Sequence, residues 1–70
     1  MNYKLRIWAT EEDRDMGEAF TQPSKDNLEG AISDAKNLFY RLNHAAIEVE
    51  NELENCVFHI STDIPNGEKY

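Results

Sequence analysis

Between Leu28 and Leu42 apolar side chains recur at steps of three and four: Leu28, Ala31, Ile32, Ala35, Leu38, Phe39 and Leu42. At about 3.6 residues per turn this spacing gathers them into one stripe, and a helix with one apolar stripe needs an apolar surface to cover it. The flanking segments supply that surface, because their period changes to two. Tyr3, Leu5, Ile7 and Ala9 alternate with Lys4, Arg6, Trp8 and Thr10. Ala45, Ile47 and Val49 alternate with Ala46, Glu48 and Glu50, and Cys56, Phe58 and Ile60 with Val57, His59 and Ser61. Each of these segments reads as a strand with one apolar face. The expected fold is α+β: a small two-layer sandwich whose three- to four-stranded, mainly antiparallel sheet carries one helix on one face, in the order β-(β)-α-β-β.

Local signals set the boundaries. Asp26 is the expected N-cap of the helix, with Glu29 three residues on as in a capping box. Lys36 and Arg41 suit the negative end of the helix dipole, and Asn43 suits a left-handed terminator. Gly30 inside the helix costs about 1 kcal/mol relative to alanine unless something packs against it. Glu18–Thr21 is expected as a short strand ending before Pro23, which cannot donate to a ladder. Asn51–Asn55 forms a five-residue hairpin loop between the last two strands. Residues 1–62 then make one domain, and 63–70, with Pro65-Asn66-Gly67, a flexible tail.

Seventy residues leave a marginal core, so dimerisation or partner binding is expected. The formal net charge of −7 opposes nucleic-acid phosphates and anionic lipids and favours basic surfaces. No apolar run approaches the ~20 residues of a membrane span, and the start MNYKLR lacks the apolar core of a secretory signal. A cytoplasmic protein is expected. Cys56 is the only cysteine and reads as ordinary packing beside Val57-Phe58.

The charge is concentrated in two runs. Glu11, Glu12, Asp13, Asp15 and Glu18 fall in EEDRDMGE, and Glu48, Glu50, Glu52 and Glu54 alternate through the hairpin. Asp13, Asp15 and Glu18 superficially match a calcium loop, but the ligand positions that should follow are not filled, with Phe20 where a polar residue belongs. No metal or other cofactor is expected. His44 falls at the helix-to-strand turn, and His59 falls on a strand where Glu48 or Glu50 can hold it. Neither meets a nucleophile or phosphate-loop motif, so no enzyme activity is expected. Alternate carboxylates on a strand lie about 6.6–6.8 Å apart, close to the phosphate spacing of a nucleic-acid strand. Both runs are thus candidate partner-binding residues, with Trp8, which lies on the sheet face away from the helix, Phe20 or Tyr40 as the apolar anchor.

The succession YKLRIWAT, EAFT, NLEGAISDAKNLFYRL, AAIEVEN and VFHIST, over residues 3 to 62, resembles short acidic proteins of phages and prophages of Gram-positive bacteria. Some such proteins inhibit host defence or DNA-handling proteins by occupying their basic surfaces. The resemblance implies an anti-defence inhibitor of a host protein. The residues leave two other classes open: a homodimeric or larger assembly component pairing through its open sheet face or edge strand, and a divalent-cation-dependent enzyme or sensor.

Overall fold

The computed structural model describes residues 2–70. In chain order it has β1 (Lys4–Trp8), α1 (Glu11–Met16), β2 (Phe20–Pro23), α2 (Leu28–Leu42), β3 (Ala46–Glu50), β4 (Cys56–Ser61) and β5 (Glu68–Lys69). The fold is α+β: an antiparallel sheet in the order β2-β1-β3-β4-β5 with α2 packed on one face. It has five strands rather than three or four, because the chain end supplies β5.

The register places the alternating apolar residues in rows. Leu5 lies opposite Val49, which lies opposite Phe58; Ile7 lies opposite Ile47, which lies opposite Ile60. These six are buried with Ala31, Ile32, Ala35 and Phe39 of the helix stripe. The two alanines leave room for the helix backbone to approach the strands, which concentrates the core on four helical positions.

Helix α2 ends as expected, with Asn43 left-handed at φ 53. It starts differently. The N-cap is Asn27, not Asp26: its Oδ1 accepts from the Gly30 N–H at 2.7 Å. Gly30 is also explained, since a Cβ there would fall 2.8 Å from Lys25 Cγ. Asn27→Ala should therefore cost about 1 kcal/mol in urea unfolding, whereas Asp26→Ala should cost a small fraction of that. Equal losses would contradict the assigned cap.

The stretch EEDRDM, which carries no apolar stripe, is a helix. Thr10 caps it, its Oγ1 accepting from Asp13 N–H at 3.1 Å, and Gly17 ends it at φ 73. Three acids in its first turn favour the positive end of the helix dipole.

The second strand runs Phe20–Pro23 rather than Glu18–Thr21, and so includes a proline. Ser24 N–H donates to Tyr3 O, while Tyr3 N–H donates to Lys25 O, so the ladder bonds at this end run through Tyr3. In an antiparallel ladder the next pair, Lys4 and Pro23, then turns its backbone nitrogens outward, where proline has no ladder bond to lose. By the same alternation only Thr21 presents both backbone groups to the free edge of β2.

Two further corrections concern the last strands. Val49 pairs with Phe58 but Glu50 pairs with Cys56, so a bulge inserts one residue into β4. Cys56 therefore shares the open face with Glu50, while Val57 packs against the core, the reverse of strict alternation. The segment 63–70, expected as a flexible tail, turns back to form β5. Tyr70 N–H donates to Val57 O, Tyr40 Oη donates to Pro65 O, and Lys69 lies 3.5 Å from Glu29. Gly67, at φ 82, sits directly under the Phe58 ring.

Candidate functional site

The two acidic runs are held in different ways and at different ends of β1. The first occupies α1 and its C-cap, beyond Trp8. The second starts at Glu48, opposite Arg6 in the middle of β1, and passes through Glu50, opposite Lys4, into the hairpin loop. Four residue steps of about 3.3–3.4 Å separate Lys4 from Trp8, so Glu50 and the acids after it lie more than about 13 Å of strand from the first run, and only Glu48 stands closer. They do not form one surface.

The hairpin run is largely consumed by the fold. Glu50 is only 7% exposed, with Lys4 Nζ at 3.7 Å and Arg6 Nη1 at 3.6 Å. Lys4 also reaches Glu54 at 3.2 Å, Asn2 N–H donates to Glu52 at 2.7 Å, and Glu48 Oε2 lies 3.0 Å from His59 Nδ1. Glu48 is one member of a row across the open face, Thr21–Arg6–Glu48–His59–Glu68, in which Glu48 stands between Arg6 and the His59 ring nitrogen. A phosphate-like row of Glu48 and Glu50 is thus already occupied by the protein's own basic groups.

The α1 run is different. Glu11 is tied, its carboxylate accepting from Thr62 Oγ1 and lying 3.3 Å from Arg14 Nη1. Arg14 also reaches Asp63 at 3.0 Å; burial alone lowers the Arg14 pKa, but the bonds to Glu11 and Asp63 raise it overall. Among the described residues, Glu12, Asp13, Asp15 and Glu18 have no cationic partner. Met16 stands among them, 62% exposed. Sequence reading overlooked this methionine, although an apolar residue inside an acidic helix is a visible signal.

Asp13 and Asp15, two apart on a helix, point in divergent directions and cannot share a cation as loop residues could. Among the described residues no three His, Cys, Asp or Glu side chains are grouped to hold a metal ion. His44 is part-buried and stacks edge-on with Phe20 at 6.4 Å. Trp8 is half-buried on the open face, beneath the Arg6 guanidinium at 5.4 Å, and its Nε1 is buried without a hydrogen-bond partner. The cation–π contact accounts for part of its cover.

Cys56 donates through Sγ to Phe58 O at 3.4 Å. Burial, followed by the negative charge of Glu48, pushes its thiol up to about 11. The same open face holds the Tyr70 phenol above its ordinary value through desolvation and the charge of Glu68. Because the folded Cys56 resists ionisation while an unfolded thiol ionises near pH 8.5, its contribution to stability is complete below pH 8.5 and is lost as pH rises toward 11. Alkylation by iodoacetamide at pH 8, followed by mass spectrometry, should be at least tenfold slower in the native protein than in concentrated urea. Equal rates would contradict the assigned environment.

No helix among the described residues is long and apolar enough to cross a membrane. A scan against protein-family models found no match, and searches of curated proteins and of solved structures found none either.

Proposed function

We propose that this is a non-enzymatic acidic binding protein that occupies a basic surface of a host protein, with α1 as the contacting element. The observation that supports it is the distribution of unpaired charge. Glu12, Asp13, Asp15 and Glu18 lie within seven consecutive residues and lack cationic partners, whereas the carboxylates of the hairpin are engaged internally. Such a patch steers encounter with a positive surface, and exposed Met16 supplies an adaptable apolar contact at its centre. The phage or mobile-element origin belongs to this proposal and rests on the resemblance in patterning alone.

The test is capture from a lysate of a Gram-positive host, with salt as the variable. A basic protein retained at low ionic strength should be released progressively as salt is added, since exposed charges separated by more than about 8–10 Å are screened at physiological ionic strength. A contact unmoved between low and high salt would argue against charge-driven occlusion. Self-association through a sheet edge receives little support: β2 offers one complete outward residue before Pro23, and β5 is two residues long.

A further inference from the structure

The surface beside the C-terminal half of α2 is separate from Glu12, Asp13, Asp15 and Met16 and shares only Glu18 with the acidic run. Phe20 is 50% exposed and Leu42 54%, and part-buried Leu38 lies one turn before Leu42. Phe20 and Gln22 lie opposite Ile7 and Leu5, on the helix side of the sheet. Gln22 lines a groove of about 260 Å³ with Asp34, Leu38 and Arg41, and Phe20 stacks on His44 just past the end of α2. The strand and the helix therefore flank one partly apolar groove that nothing in the monomer fills.

Of its two charged residues, Asp34 accepts from Ser24 Oγ and pairs with Lys25, which leaves Arg41 to be accounted for. Lys4, Arg6, Arg14, Lys25 and Lys69 all pair with carboxylates, and Lys36 stands 5.9 Å over the Phe58 ring. Among the described residues Arg41 has neither kind of partner. Glu18 lacks a cationic partner too, and it precedes Phe20 by two positions while Gln22, beside Arg41, follows Phe20 by two. Along this edge the order is acid, aromatic, arginine. A two-fold axis near Phe20 reverses that order in a second copy, which brings each Glu18 toward the other copy's Arg41 and buries Phe20, Leu38 and Leu42 between them.

We propose that the occupant of this groove is a second copy of the chain, forming a two-fold dimer with a Phe20–Leu42 centre and two Arg41–Glu18 pairs. A chain this short gains most from such burial, because its own core is limited. The isologous arrangement closes on itself and leaves Glu12 and Asp15 of α1, and the open sheet face, outside the contact.

Size-exclusion chromatography with light scattering at high micromolar concentration tests this directly. The wild-type protein should show twice its 8.1 kDa mass. Leu42→Ser should shift it to monomer, and Arg41→Glu or Glu18→Arg alone should weaken the dimer by about tenfold, since each change places like charges at two symmetric contacts. Arg41→Glu combined with Glu18→Arg should restore it. Circular dichroism confirms that each variant is folded, and all three positions are exposed. A wild-type monomer, a dimer indifferent to Leu42→Ser, or a double variant no tighter than the singles would overturn the proposal. Because Arg41→Glu leaves Glu12, Asp13, Asp15 and Met16 intact, loss of the dimer and loss of host-protein capture are separable.

Discussion

Gly67→Ala is expected to be among the most destabilising single changes outside the core, costing about 2–4 kcal/mol. Two effects add. At φ 82 an alanine is held in the left-handed region, and its Cβ would stand 2.3 Å from Phe58 Cζ and 2.8 Å from Cε1. Phe58 cannot easily retreat, because it is buried between α2 and the sheet. The internal control is Gly17→Ala, where φ is 73 but a Cβ meets nothing within 4 Å. Only the conformational part, about 1 kcal/mol, should be lost there. For a domain of this size the Gly67 variant should melt lower by roughly 10–25 °C, and by clearly more than the Gly17 variant. Equal melting temperatures would show that β5 does not press on Phe58.

The second large effect concerns the Glu50 carboxylate. Lys4 and Arg6 approach it from the neighbouring strand, and it is almost fully buried. Removing both cations, as in Lys4→Met with Arg6→Met, leaves a buried charge without compensation and should cost about 2–4 kcal/mol in urea unfolding. Adding Glu50→Leu to that variant should recover most of the loss, because a buried ion pair replaced entirely by apolar groups is often neutral. A double variant within about 0.5 kcal/mol of wild type would mean that Glu50 escapes to water instead. This carboxylate belongs to the fold, which is why a count of acidic residues overstates the charge presented to a partner.

The main helix and the inner strands were legible because burial imposed their periods. Leu28–Leu42 is the helix expected from its stripe, and Leu5, Ile7, Ile47, Val49, Phe58 and Ile60 are the sheet face expected from alternation. Helix α1 was not, since none of its residues is buried and no stripe could form. Its signals were of another kind: Thr10 ahead of three acids, and Gly17 at the end. The exchange of Cys56 and Val57 between faces depends on a bulge, which a strict period of two cannot express. β5 depends on Gly67 fitting under Phe58, nine positions away in the chain, and no local pattern around Pro65-Asn66-Gly67 reveals that contact.

For the candidate site, sequence spacing identified the acids but not their partners. Glu48 and Glu50 have the alternation of a phosphate-like row, yet pairing of β3 with β1 and β4 sets Arg6 and Lys4 on one side and His59 on the other. Long-range register pairs the hairpin carboxylates, and among the described residues Glu12, Asp13, Asp15 and Glu18 keep no cationic partner.

The most direct measurement of that difference compares two variants for capture of a basic host protein at low salt, scored by quantitative mass spectrometry against wild type. One carries Glu12, Asp13 and Asp15 changed to serine; the other carries Glu52 and Glu54 changed to serine. Capture should fall by about tenfold or more with the α1 variant and stay near wild type with the hairpin variant. Equal recovery by wild type and the α1 variant, or a loss confined to the hairpin variant, would contradict the account.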